Sequence, residues 1–191
     1  MRMADDEARR IAEASTGDTA AFRHLVEAHA RALFRVCARI TRDDALAEDA
    51  VQDAFFNAYR HLGEFDGRSA FSTWLHRIAV NAALELMRKR RRVEDALPES
   101  DEGDAVFADA FDAAPGPDRH ATSVALGRDI AAQLSRMSTI ERTAFVLRHH
   151  EGRSIEEISQ TLSLSESASK QAVFRAVRKL RAALEPRDTV D

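Results

Sequence analysis

Apolar positions along this chain recur at three- and four-residue intervals, and nowhere do they alternate with period two over a strand's length. Between Asp18 and Ile40 the stripe is Phe22, Leu25, Val26, Leu33, Val36, Cys37 and Ile40. From Asp43 to His61 it is Ala47, Val51, Ala54, Phe55 and Ala58, leading to Leu62. From Ser69 to Arg92 it is Phe71, Trp74, Leu75, Ile78, Ala82 and Leu86. Gly63 and Gly67 bracket the break before this third helix. Four shorter helical segments follow beyond residue 120. The first runs from Val124 to Met137. Ser138-Thr-Ile-Glu141 is a capping-box pattern opening a helix that ends near Gly152, and Ser154-Ile-Glu-Glu157 is a second, opening a helix to Leu162. Ser163-Leu-Ser165 is a turn, Ser165 an N-cap, and the last helix reaches about Leu184, stopped by Pro186. The pattern predicts an all-α protein.

Between the two helical groups the period fails. Glu94 to His120 holds three of the four prolines (Pro98, Pro115, Pro117), nine acidic residues and one basic residue, and reads as an acidic flexible linker. This divides the chain into a helical domain over 1–93, a linker over 94–120 and a second helical domain over 121–191. It also changes the meaning of the charge. The whole chain of 191 residues has a formal net charge of −4, which by itself disfavours an anionic partner. The linker alone carries −8, and each flanking part carries +2.

The remaining composition excludes several classes. A charged fraction of 31% and an apolar fraction of 45% fit a globular protein rather than a disordered one. One cysteine, Cys37, rules out an internal disulfide framework and a thiolate zinc cluster. No apolar run approaches the ~18 residues of a membrane span, and Met1 to Glu13 lacks the apolar core of a signal peptide. The expectation is a cytoplasmic protein. Histidines are scattered, only His149 and His150 being adjacent, and no glycine-rich phosphate loop is present, so neither a metal nor a cofactor is expected. Asp49 and Asp53 stand at i, i+4 but have no apolar pocket in sequence to raise a carboxyl pKa, which disfavours a hydrolase.

Three segments carry chemistry of another kind. The last two helices have the lengths of a helix-turn-helix. In it, Ile155, Ile158, Leu162 and Leu164 can pack on Val173, Val177 and Leu180, while Ser167, Lys170, Gln171, Arg175 and Arg178 face outward. Amides and cations on one helix face can reach base edges and phosphates in a major groove, although a solvated amphipathic helix presents the same pattern. Five consecutive cations, Arg88-Lys89-Arg90-Arg91-Arg92, close the third helix. One or two would complement the helix dipole, and the surplus points to an anionic partner. Phe65, Phe71 and Trp74 lie around Asp66-Gly67-Arg68-Ser69, beside that basic helix, where rings can stack unpaired bases; Phe71 and Trp74 also lie on the apolar stripe and suit a core.

Together these segments resemble a sigma factor of the extracytoplasmic-function class, over about residues 8–185. Phe65-Asp-Gly-Arg-Ser-Ala-Phe-Ser-Thr-Trp-Leu-His-Arg-Ile-Ala-Val-Asn81 is similar to the family's promoter-melting region. Ala47-Glu-Asp-Ala-Val-Gln-Asp-Ala-Phe-Phe56 resembles its polymerase-docking helix. Glu151-Gly-Arg-Ser-Ile-Glu-Glu-Ile-Ser159 with Phe174-Arg-Ala-Val-Arg-Lys-Leu-Arg181 resembles its C-terminal helix-turn-helix. The resemblance implies a transcription-initiation factor without catalysis of its own. Its partners would be core RNA polymerase (β and β′ subunits), promoter DNA and an anti-sigma factor, with no small-molecule substrate and no membrane insertion.

Residue by residue, the resemblance implies that Asp49, Gln52, Asp53 and Phe56 dock on the β′ clamp helices. It implies that Phe65, Gly67, Ser69, Phe71 and Asn81 capture a flipped base of the minus-ten element, with Arg77, Arg88, Arg90 and Arg91 on phosphates. Ser167, Lys170, Gln171, Arg175 and Arg178 would meet the minus-thirty-five element. Two positions depart from the family pattern: Ser169 stands where many members have valine, and Ala172 where many have arginine. One DNA contact is therefore expected to be missing, and promoter preference does not transfer. Two alternatives stay open, a decoy that sequesters an anti-sigma protein and a plain helix-turn-helix regulator; the second leaves residues 43–92 unexplained.

Overall fold

The structure, a computed structural model, describes residues 2–96 and 136–184. The described residues are helical throughout their regular elements and form two compact units, with the division between Ser100 and Asp101. The expected linker beyond Ala96, the expected helix over 124–137 up to Ser135, and Pro186 lie outside the described residues.

The first unit contains α1 (Arg2–Ser15), α2 (Thr19–Thr41), α3 (Asp44–Arg60) and α4 (Phe71–Ala96), with a 3-10 turn at Leu62–Glu64. Helix starts fall where the sequence places side-chain caps. Asp18 accepts from the backbone N–H of Ala20 and Ala21 at the head of α2, and Asp43 accepts from Leu46 at the head of α3. Between α2 and α3, Thr41 donates its hydroxyl to the Cys37 carbonyl and accepts from the Asp43 N–H, and Arg42 takes the left-handed conformation (φ 60°) that ends α2. The Thr41 hydroxyl and the Asp43 carboxylate thus satisfy backbone groups on both sides of the reversal.

Helix α1 was not anticipated. Half of its residues are charged, and it is held by tertiary contacts with α2. Ala14 is buried, and Glu7 on α1 meets His29 Nε2 on α2 at 2.8 Å.

Helix α4 packs against both α2 and α3. Its buried residues are Phe71, Leu75, His76, Ala79, Val80, Ala82, Ala83 and Leu84. Trp74, Ile78 and Leu86, expected on the apolar stripe, are only partly buried. The stripe is rotated because alanines count little in a hydrophobic pattern yet line the closest helix contacts. On α3 the buried set is Ala47, Ala50, Ala54, Phe55 and Ala58. The centre of the unit is filled by Leu25, Leu33, Val36, Cys37 and Ile40 of α2, all essentially inaccessible. Each large apolar side chain so buried contributes about 1.5–3 kcal/mol. α4 continues to Ala96, three residues into the stretch expected to be linker.

The second unit contains α5 (Thr139–Phe145), α6 (Ile155–Leu162) and α7 (Glu166–Leu184). Both expected capping boxes are formed, Ser138 with Glu141 and Ser154 with Glu157. α5 does not run on as an α-helix towards Gly152. It widens into a π-helical segment at Val146–His150, in which Glu151 N–H bonds to the Val146 carbonyl at 3.1 Å. Between α6 and α7, Ser163 is left-handed (φ 53°) and Leu164 N–H bonds back to the Ser159 carbonyl at 3.0 Å. α7 buries Ser169, Ala172, Ala176 and Leu180 against α5 and α6, whereas Val173 and Val177 lie at the edge of that face. Leu180 packs as expected, while Ala172 and Ala176 take the central places expected of Val173 and Val177, again because the small residues sit at the centre of the contact.

Two outcomes follow for stability. Asp43 both caps α3 and pairs with Arg90 of α4. Asp43→Ala is expected to cost about 1–2 kcal/mol in urea unfolding, whereas Asp43→Asn, which retains the cap, loses well under half of that. Glu157 has its carboxyl held below the ordinary value of 4.5 by the Ser154 N–H, against the opposing effect of burial, and by the Ser154 hydroxyl and Arg153. A depressed carboxyl stabilises the fold above its unfolded pKa and ceases to do so as pH falls through the folded value. Thermal unfolding followed by circular dichroism should show a melting temperature that declines below about pH 4.5, and the decline should be smaller in Glu157→Gln.

Candidate nucleic-acid and polymerase interfaces

The alanine-lined inner face of α3 leaves its other face open. Asp49, Gln52, Asp53 and Phe56 fall there at i, i+3, i+4 and i+7, and all four are exposed, Phe56 by 61%. The surface extends beyond them to Tyr59 and Arg60. Tyr59 packs edge-on against Phe22 at 4.9 Å, and the Arg60 guanidinium lies 5.6 Å from the centre of the Phe56 ring. Neither residue was anticipated, although their spacing from Phe56 places them on the same face. An exposed phenylalanine ringed by carboxylates, an amide and one arginine has the character of a protein-docking surface.

The loop before α4 is built by Asp66, whose carboxylate accepts the Arg68 N–H at 3.0 Å and pairs with its guanidinium, and by Gly67 at φ +71°. Gly67 and Ser69 are exposed, and Phe65 is partly so. Phe65, Phe71 and Trp74 form a mutual cluster with centroids 5.3–5.7 Å apart. Phe71 does not belong to the accessible part of this loop. It is only 3% exposed, and its ring meets His29 of α2 at 5.5 Å. As the first residue of α4 it anchors the helix inward and supports the other two rings from below. The expectation that Phe71 contacts a base is corrected accordingly.

Arg77 and Asn81 lie one turn apart on the exposed side of α4. Asn81 opens onto a groove between α3 and α4, shared with Asp53, Asn57, Glu85 and Lys89. The basic run beyond them is largely engaged within the unit. Arg88 Nε donates to the Leu84 carbonyl at 3.1 Å, Lys89 pairs with Glu85 at 3.0 Å, and Arg90 pairs with Asp43. Arg91 is exposed at the surface. The side chains remain solvent-accessible, but a phosphate would have to displace or share their present partners.

On α7, Ser167, Lys170, Gln171, Arg175 and Arg178 share an exposed face. Phe174 stands among them, one turn from both Lys170 and Arg178, and is 65% exposed. Its spacing from Lys170 and Arg178 places it on that face, where an expected pattern of amides and cations has no position for an apolar ring. Lys170 pairs loosely with Glu166, and Arg175 and Lys179 both bond to Glu141 of α5. Ser169 and Ala172 lie on the opposite, buried face, Ala172 being wholly inaccessible. The departure at 172 is therefore one of core packing, and the expected loss of a DNA contact at that position is corrected.

Among the described residues no group of His, Cys, Asp and Glu could hold a metal ion, and no helix is long and apolar enough to cross a membrane. Burial pushes the Cys37 thiol up to about 12, so it stays protonated at neutral pH.

Residues 25–93 match Sigma-70 region 2, and residues 127–180 match Sigma-70, region 4. α1 precedes the first of these matches. The chain is 32% identical to the RNA polymerase sigma-H factor of Pseudomonas aeruginosa over 172 residues, covering 89% of each protein. It is 29% identical to the ECF RNA polymerase sigma factor SigW of Bacillus subtilis, covering 91% of this chain and 94% of SigW. With the ECF sigma factor SigM of Mycobacterium tuberculosis strain H37Rv the identity is 33%, over 91% of this chain and 82% of SigM. Among solved structures, CnrH in complex with the cytosolic domain of CnrY superimposes with a TM-score of 0.61 at 27% identity, covering 94% of this chain and 97% of that one. The sigma factor RpoE of Bartonella quintana, in complex with the anti-sigma factor NepR, shares the fold, with a TM-score of 0.63 at 24% identity over 87% of this chain and 98% of that one. With both regions matched in order and relatives aligned over most of their length, the chain belongs to the extracytoplasmic-function class of RNA polymerase sigma factors.

Proposed function

We propose that this sigma factor docks on core RNA polymerase through the exposed face of α3, opens the minus-ten element with the loop before α4, and reads the minus-thirty-five element with α7. The observation that carries the assignment is segregation. Each of these helices has one buried face, lined mainly by alanine on α3, by alanine and serine on α7 and by alanine with larger apolar residues on α4, and another on which the exposed carboxylates, rings, amides or cations are gathered. Asp49, Gln52, Asp53 and Phe56, extended by Tyr59 and Arg60, form the docking face. Phe65 and Trp74 offer rings for an unstacked base, with Gly67 and Ser69 shaping the loop, and the Asn81 amide supplies both a donor and an acceptor. Arg77, Arg88, Arg90 and Arg91 supply phosphate contacts. Ser167, Lys170, Gln171, Phe174, Arg175 and Arg178 form the duplex-reading face.

Catalysis belongs to the polymerase, and the chain works in the cytoplasm, where its DNA is. An anti-sigma partner completes the proposal. CnrH, 27% identical over nearly the whole chain, was solved with the cytosolic domain of CnrY, and a partner that covered the α3 face would block docking.

Two measurements test these assignments. Asp49→Ala combined with Gln52→Ala should weaken binding to core polymerase about tenfold or more in a fluorescence competition assay, with an unchanged circular dichroism spectrum; wild-type affinity would move the docking face elsewhere. Lys170→Ala should weaken binding of the holoenzyme to promoter DNA and reduce the slope of log K against log salt by about one, the signature of a lost phosphate contact. A defect with an unchanged salt slope would exclude that contact.

A further inference from the structure

Glu141 is the sole buried carboxylate among the described residues. A capping box needs one of its oxygens on the Ser138 N–H, and Oε2 provides that at 3.2 Å. The side chain does more. Oε1 accepts from Arg175 Nε at 3.1 Å, and Oε2 also accepts from Lys179 Nζ at 2.5 Å. Arg175 and Lys179 stand one turn apart on α7 and are each about two-fifths exposed, whereas the Glu141 side chain is 8% exposed. One buried carboxylate therefore sits behind two cations that border the duplex-reading face. Burial pushes its pKa up, but Lys179, the Ser138 N–H and Arg175 together hold it below the ordinary value, so it is ionised at neutral pH.

This arrangement has two consequences. A guanidinium is planar, and anchoring it through Nε fixes the plane while leaving the two terminal nitrogens to donate to a base edge or phosphate. The negative charge behind it also offsets part of the attraction of α7 for any phosphate backbone. We propose that Glu141 is a positioning residue for promoter reading, which orients Arg175 for a specific contact and lowers the non-specific affinity of the same face. The inference rests on the assignment of α7 to the minus-thirty-five element.

The two effects predict changes of opposite sign, which a purely structural role would not produce. Glu141→Gln keeps a capping-box side chain but removes the charge. The test uses holoenzyme in a competition run-off transcription assay with two templates, a promoter recovered by holoenzyme selection from genomic DNA and the same promoter with its minus-thirty-five element scrambled. Binding of the free full-length protein to the scrambled duplex is measured in parallel by fluorescence anisotropy.

For Glu141→Gln, preference for the intact promoter should fall about fivefold or more, while affinity for the scrambled duplex rises several-fold. Arg175→Lys, which keeps the charge and loses the fork, should also lose preference, and the double variant should be no worse than Arg175→Lys alone. Full preference in Glu141→Gln, or a proportional fall in specific and non-specific binding, would overturn the inference. If Glu141→Gln fails to fold, the decision passes to Arg175→Lys, and full preference there would overturn it. Arg175→Ala separates the two levels. Full preference in Arg175→Ala removes the assignment of α7 itself, whereas loss in Arg175→Ala alongside full preference in Glu141→Gln removes only the role given to Glu141.

Discussion

Small residues on the buried faces of the functional helices set the geometry on which the rest depends. Ala47, Ala50, Ala54 and Ala58 on α3, Ala79 and Ala83 on α4, and Ser169, Ala172 and Ala176 on α7 are all essentially inaccessible. A helix whose inner face is alanine or serine can approach its neighbours closely, and its larger side chains must then point outward or sit at the seam. That is where Asp49, Gln52, Asp53 and Phe56 lie on α3, and Lys170, Gln171, Phe174 and Arg178 on α7. A larger residue at Ala54 or Ala176 would act twice, by overpacking the seam and by turning the outer face. Packing and the make-up of the exposed faces are two consequences of one distribution of side-chain size.

Charge is held in check in a comparable way. The basic end of α4 is tied back by Arg90 to Asp43 and by Lys89 to Glu85, and α7 is tied back by Arg175 and Lys179 to Glu141. Exposed pairs of this kind are individually weak and screened by salt, so they do little for the stability of the fold. Their effect is on what an incoming phosphate must displace. A sigma factor whose cations are partly occupied by its own carboxylates binds random DNA less readily, which accords with its net charge of −4. The carboxylate at 141 differs from the others in being buried, and it alone also closes a helix terminus from within the helix.

Much of this architecture was legible in the sequence because the signals were local. Asp18, Asp43, Ser138 and Ser154 cap the helices they precede, and the α6–α7 turn lies where Ser163 to Ser165 placed it. What escaped depends on contacts distant in the chain. Helix α1 is amphipathic, but most of its apolar positions are alanines, which weigh little in a hydrophobic pattern, and it is stabilised by docking on α2. The inner faces of α4 and α7 were displaced because bulky residues such as Trp74, Ile78 and Val173 dominate a hydrophobic pattern while alanines dominate the contact. Phe71 and Ala172 are a different case: the resemblance set Phe71 on a base and counted Ala172 as a lost contact, whereas both side chains are buried at helix contacts. Phe174 is the converse case, an apolar ring on a face whose signal in the sequence is its amides and cations.

If these surfaces act as proposed, the chain directs core polymerase to particular promoters. Reconstituted transcription of fragmented genomic DNA from the source organism, with start sites mapped in the presence and absence of the chain, tests it most directly. Discrete start sites should appear only when the chain is added, preceded by a shared pair of sequence elements. No new start sites, on a core preparation that a second sigma factor activates, would contradict it.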